Sequence, residues 1–142
     1  MRKAIELAKE AAKDGETPVG AVIIDQNGQV LGMGRNRREK ENSAIAHAEI
    51  EAIEQAGKHQ KDWRLSDCTI YVTLEPCPMC TGAIIMSRMN GLYYGAKDEL
   101  TGSCGSVINL FMEPYGAKTK VTGEILEKEC SDLLKTFFKN LR

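Results

Sequence analysis

Apolar residues repeat at helical spacing near the amino terminus, where Ile5, Leu7, Ala8, Ala11 and Ala12 punctuate residues 1–14 and Asp14-Gly15 supplies a stop. The period then changes. Residues 19–25 and 29–34 are β-branched or apolar runs on either side of Gln26-Asn27-Gly28, and Asn-Gly favours a tight hairpin turn because both residues tolerate positive φ. A second helix is predicted over residues 46–56, then a buried strand over 68–74 that delivers the chain to Pro76-Cys77. A third helix is expected over residues 78–89, a strand over 92–96, a short strand over 120–122 and a closing amphipathic helix over 125–139. Strands interleaved with helices imply a sheet covered on both faces, an α/β class. No repeat, low-complexity segment or linker divides the chain, so residues 1–142 are read as one domain.

The third helix is apolar on more than one side, through Met79, Ala83, Ile84, Ile85, Met86 and Met89. One side can pack on the sheet, and the other asks for a further cover, which suggests a subunit partner. No run of eighteen apolar residues and no charged-then-apolar leader is present, so neither a membrane span nor a signal peptide is expected, and the cytoplasm is the default location. Nineteen basic residues nearly cancel twenty acidic ones, which removes the strong positive field of a non-specific nucleic-acid binder. Local patches remain at Arg35-Asn36-Arg37-Arg38, over residues 58–64, and at Lys135, Lys139 and Arg142, with a solvated polar face as the equal alternative for each.

Candidate chemistry sits in two short stretches, His47-Ala48-Glu49 and Pro76-Cys77-Pro78-Met79-Cys80. Cys77 and Cys80 alone could be a redox pair, but that reading leaves His47 and Glu49 without roles. One imidazole and two thiolates suit zinc, and three protein ligands with no obvious fourth match a catalytic site, which keeps a position open for water, rather than a closed structural one. Pro78 falls where a helix would begin, and a helix start favours the thiolate form of a cysteine held there. Glu49 lies two residues beyond His47, so within a regular helix their side chains diverge by roughly 200°. At the first turn His47 can instead point back to a metal while Glu49 reaches toward the water as a proton carrier. An ordinary surface carboxylate, or a partner that orients His47, is the alternative for Glu49. Of five cysteines, Cys68, Cys104 and Cys130 are left over and are expected to be reduced and structural.

The H-x-E and P-C-x-x-C elements together resemble the zinc-dependent cytidine/deoxycytidylate deaminase superfamily. Within it the chain looks most like the bacterial tRNA-specific adenosine deaminases. Thr17-Pro18-Val19-Gly20-Ala21-Val22, Ala46 to Ile50, Tyr71 to Ile84, Ser87-Arg88, Tyr94 to Asp98, Thr101-Gly102, Gly105-Ser106 and Leu133 to Phe138 carry that likeness over nearly the whole length. The resemblance implies a three-layer α/β/α fold with a central mixed five-stranded sheet, one zinc ion per subunit on His47, Cys77 and Cys80, and Glu49 as the proton carrier. It also implies a homodimer and hydrolytic conversion of adenosine to inosine at the wobble position of a tRNA anticodon stem-loop. Asn36 matches a family position that contacts the substrate sugar, with a turn-capping amide as its alternative, and Val19, Ala48 and Leu74 are expected to line the base pocket. The chain departs from the family in lacking an Asn-His pair near Pro114 to Lys118, in carrying Leu100 where a lysine is usual, and in stopping at Arg142 without a basic tail. Those departures keep a second reading in play, a deaminase of a free base or nucleoside such as guanine, cytosine or cytidine; a third is a non-catalytic zinc-stabilised module, which requires that Cys68, Cys104 or His59 close the metal site or that its water position be blocked.

Overall fold

The structure is a computed structural model and describes residues 1–141. Helix α1 (Arg2–Lys13) ends where expected, with Gly15 at φ +79° turning the chain. Strands β1 (Gly20–Ile24) and β2 (Val30–Arg35) pair antiparallel. Their connection is longer than a two-residue Asn-Gly turn. The Asp25 carboxylate accepts from the amides of Asn27 and Gln29, which organises a five-residue loop and shifts the register at Ile23/Ile24.

Helix α2 (Ala48–Gln60), strand β3 (Thr69–Leu74), helix α3 (Pro78–Met86) and strand β4 (Gly91–Ala96) follow, then β5 (Lys120–Thr122) and α4 (Glu127–Asn140). The sheet runs β2-β1-β3-β4-β5, antiparallel across β2-β1-β3 and parallel across β3-β4-β5, so the mixed five-stranded expectation holds. Met89 was expected within α3, but the helix stops at Met86. The Ser87 hydroxyl donates to the Ala83 carbonyl, Arg88 turns left-handed at φ +63°, and Met89 is fully buried beyond the break.

The two faces of the sheet are covered by different helix pairs. α2 and α3 pack over a core of Ala21, Ile23, Ile70, Val72, Leu92 and Ile84, all buried. α1 and α4 cover the other face, where Ile5 and Cys130 pack with Leu133 and Leu134. Helix α2 approaches β2 so closely that a Cβ at Gly34 would collide with the Ala48 carbonyl and one at Gly32 with the Ala52 carbonyl. This contact fixes where α2 begins, and thereby where His47 and Glu49 stand.

Candidate active site

Six segments meet at one end of the sheet. They are the residues entering β1, those leaving β2, the start of α2, the turn after β3, the loop after β4, and the side of α4 that carries Leu134 and Phe138. Ligands in open α/β sheets collect at the carboxyl ends of parallel strands, and β3 and β4 both end here. The resulting cavity has a volume of about 480 Å³ and is bordered by His47, Glu49 and Cys77 on its floor.

His47 is not helical. It is the N-cap residue of α2 in extended conformation (φ −89°, ψ 153°), so the divergence expected for two residues of a regular helix does not apply, and its ring is free to face the α3 turn. Cys77 is likewise the extended N-cap of α3, with Pro78 at the first helical position and Cys80 fully buried one turn in. The start of each helix is therefore aimed at the same point, and the positive ends of both dipoles favour anionic sulfur and carboxylate there.

The imidazole Nδ1 of His47 lies 3.7 Å from the Cys77 sulfur and 3.5 Å from the Cys80 sulfur. A tetrahedral ion with Zn–N near 2.0 Å and Zn–S near 2.3 Å would separate nitrogen and sulfur by about 3.5 Å. The observed donor set fits. All three ligand atoms lie within 4.8 Å of one another, and among the described residues no further His, Cys, Asp or Glu joins that group. His59 is exposed at the end of α2, and Cys68 and Cys104 are buried free thiols outside the group, Cys104 resting 3.7 Å from the Thr81 hydroxyl. Among the described residues the closed zinc module thus finds no fourth protein ligand.

Glu49 is 4 % exposed, and its Oε1 is a buried oxygen with no hydrogen-bond partner. Burial pushes its carboxyl up to about 7, against the opposing pull of its own backbone amide and of His47. The Cys77 thiol is drawn down to about 4, first by the hydrogen bond from Cys80 and also by His47, while Cys80 is pushed up as the partner that keeps the proton. His47 is raised first by its hydrogen bond to Cys77, with burial opposing.

Val19, Asn36, Ala48 and Leu74, named from the sequence, all border the same cavity. The Asn36 amide is also engaged at both ends, its Nδ2 donating to the Thr17 carbonyl at 3.2 Å and its Oδ1 accepting from the Arg38 amide at 3.2 Å. Sequence reasoning missed the remaining walls: Thr17, Arg38, Glu75, residues 97–101, and Leu134 with Phe138 from α4. It also missed two buried carboxylates. Glu16 accepts from the amides of Glu39 and Lys40, and Glu75 from the loop after β4. Of the basic clusters, Arg35 is tied to Glu10 and Asp14, Arg37 to Glu51, and Arg64 to Asp62 while stacking on Trp63. Lys135 and Lys139 flank a groove beside Phe138, and Arg142 lies outside the described residues. Arg38 and Lys97 are the lysine and arginine side chains that border the cavity.

Comparison with known proteins gives the class first. A model of the MafB19-like deaminase family matches residues 1–142, and the chain is a deaminase, a hydrolase acting on a C–N bond. It is 43 % identical to the tRNA-specific adenosine deaminase of Bacillus subtilis over its whole length and 88 % of that protein, and 44 % identical to that of Haemophilus influenzae over its whole length and 83 % of that protein. The chain belongs to the family of bacterial tRNA-specific adenosine deaminases. A solved tRNA A34 deaminase, studied for A-to-I editing at the wobble position, superposes with a TM-score of 0.90 at 36 % identity, covering 94 % of this chain and 97 % of that one. The guanine deaminase of Nitrosomonas europaea superposes with a TM-score of 0.80 at 25 % identity, over 96 % of this chain and 81 % of the other.

Proposed function

We propose that this protein hydrolytically deaminates adenosine to inosine at the wobble position of a tRNA anticodon loop. The observation that carries the chemistry is the unpartnered, buried Oε1 of Glu49 beside a three-atom His/Cys/Cys ligand set. The substrate is supported by relatives of 43–44 % identity spanning the whole chain. His47, Cys77 and Cys80 would hold one zinc ion per chain. That ion supplies Lewis-acid activation of water at neutral pH.

The chain's own residues do the rest. Glu49 takes a proton from the attacking water and gives it to N1 of the adenine, which opens C6 to addition. It then relays the second proton to the amino group, so that ammonia departs and inosine remains. Burial serves this relay, because desolvation makes the carboxylate a better proton acceptor than an exposed one. Val19, Ala48 and Leu74 supply apolar walls for the flipped base, and the Asn36 amide, fixed at both ends, faces the ribose. An unpaired loop base reaches this pocket without the cost of opening a duplex. Arg38 at the rim supplies positive charge for flanking phosphates, while Lys97 beside it is paired with Glu124 at 2.9 Å.

The protein acts as a homodimer in the cytoplasm on this reading. α3 leaves Met86 63 % exposed beside Trp63 at 55 %, in a shallow groove shared with Ile53 and Ala83, which gives the partner an apolar surface. No helix among the described residues is long and apolar enough to cross a membrane.

A free-base deaminase is the second reading, and the superposition on guanine deaminase supports it. Both readings are tested by offering the zinc-loaded protein an anticodon stem-loop with adenosine at the wobble position beside guanine, cytosine, adenosine and cytidine. Inosine formed in the RNA, with the free compounds unchanged, is expected. Turnover of a free base with an untouched stem-loop would reject the tRNA reading.

A further inference from the structure

Glu75 is 1 % exposed, sits two residues before Cys77, and has no role in the proton relay. A buried carboxylate costs several kcal/mol unless its charge is compensated. Among the described residues no cation is paired with this one. Four donors from a single loop do so instead: Oε1 accepts from the Asp98 amide at 3.2 Å and from the Ser106 hydroxyl, and Oε2 accepts from the amides of Cys104 at 2.9 Å and Ser106 at 3.2 Å. The loop of residues 97–106 is thus wrapped around one anion, much as backbone nests wrap a bound one.

The wrapping is close enough to dictate residue type. A Cβ on Gly102 would lie 2.5 Å from the Glu75 carboxyl carbon, so only glycine lets the backbone pass. The same loop is tied to the metal-ligand turn by the Ser103 amide, which donates to the Pro76 carbonyl at 2.9 Å. Its tip is pinned separately. Asp98 Oδ1 accepts from the amides of Leu100 and Thr101 at 3.0 and 3.2 Å, and Oδ2 accepts from the Thr101 hydroxyl at 2.9 Å. Lys97, Asp98, Glu99, Leu100 and Thr101 form one wall of the catalytic cavity, and Leu100 stands 88 % exposed at its mouth.

We propose that Glu75 is a positioning residue for substrate binding: its carboxylate holds the 97–106 loop as a preset wall, at a fixed distance from the cysteine turn that it precedes. Through this loop the metal-ligand segment and the substrate wall become one rigid unit, so the ordering cost is met on folding rather than at each binding event. Loosening the brace lowers the fraction of molecules with the wall in place and raises the apparent dissociation constant by that fraction. The proton relay of Glu49 is separate from it. The role rests on the deaminase cavity being the substrate site, whichever base the cavity takes.

The test uses the full, zinc-loaded chain and reads zinc content, thermal midpoint, amide hydrogen exchange at Asp98, Cys104 and Ser106, and kcat and KM separately. KM is taken for whichever compound of the panel above the unaltered enzyme turns over, so a wrong substrate assignment does not decide this question. Ser106→Ala removes one donor from an exposed position and is expected to raise KM about three- to tenfold with kcat within about twofold. Exchange at Asp98 and Cys104 should quicken, and Ser106→Thr should restore both values. Glu75→Gln sets an NH₂ group against amide donors and should raise KM further while zinc stays at one per chain. Faster exchange with an unmoved KM in both variants would overturn the proposal, as would a loss of zinc or thermal midpoint with KM unchanged, because either shows a brace without consequence for binding.

Discussion

The two faces of the sheet obey one packing rule and reach different ends. On one face α1 lies so close to β1 that a Cβ on Gly20 would strike the Ala4 carbonyl, and on the other α2 lies equally close to Gly34 of β2. Yet only α2 and α3 start at the carboxyl end of the parallel strands, each with a member of the candidate His/Cys/Cys metal group as its N-cap. α1 and α4 instead present sides and ends there, giving Leu134, Phe138 and the segment leading to Thr17 as walls. Chemistry follows the direction of the helices rather than the quality of their packing, because helix starts bring unpaired amides and a positive dipole to a point where thiolate and carboxylate must be stabilised.

If that contrast is right, the greatest damage comes from the α3 start. Cys80→Ala removes a proposed ligand that is fully buried in the first turn and is expected to abolish zinc binding and activity together, with a lower thermal midpoint. Metal analysis by inductively coupled plasma and differential scanning calorimetry would show it. An Ala variant that keeps one zinc per chain would mean that another side chain closes the site.

Glu49→Ala comes next and separates holding the metal from moving the proton. Zinc should stay at one per chain while kcat drops by about 10²- to 10⁴-fold, the range usual for a lost general acid–base group. The deleted carboxylate is buried with one oxygen unpaired, so stability should hold or rise. Activity within tenfold of the unaltered enzyme would assign the relay to another group.

Local periodicity made the framework legible. Residues 120–122 were read as a strand and are one, and residues 78–89 gave the start of α3 correctly because Pro78 marks a first turn. The cluster of His47, Cys77 and Cys80 was legible for a different reason, since few chemistries want those three residue types at that spacing. What stayed hidden depends on contacts distant in sequence. The Glu75 carboxylate bonds to amides 23 to 31 residues away, and Glu16 to amides 23 and 24 residues away; backbone donors leave no mark in residue identity. The end of α3 was misplaced because Met89 is as apolar as the helix before it, and only the left-handed Arg88 reveals the break. The entry of Leu134 and Phe138 into the cavity follows from where α4 docks on β4, which no amphipathic pattern specifies.

The sharpest version of the comparison applies the same insult to both faces. Gly20→Ala drives a methyl into α1 near Ala4 and Ala8, and Gly34→Ala drives one into α2 near Ala48 and Ala52. Each overpacks a closely fitted helix–sheet contact and should cost about 1–3 kcal/mol of stability, read as a shift of the urea midpoint with unchanged slope. Their effects on function should part. Gly34→Ala pushes back the turn that begins with Ala48, so the N-cap His47 and the Glu49 carboxylate move relative to the cysteines, and a misplacement near 1 Å is enough to cost about 10²-fold in rate. Gly20→Ala displaces a helix that bears neither Glu49 nor any of the proposed metal ligands, so the fraction that remains folded should keep its zinc affinity and its kcat. Equal losses of kcat per folded molecule in the two variants would show that the faces are mechanically coupled, and that helix direction alone does not decide which one carries the reaction.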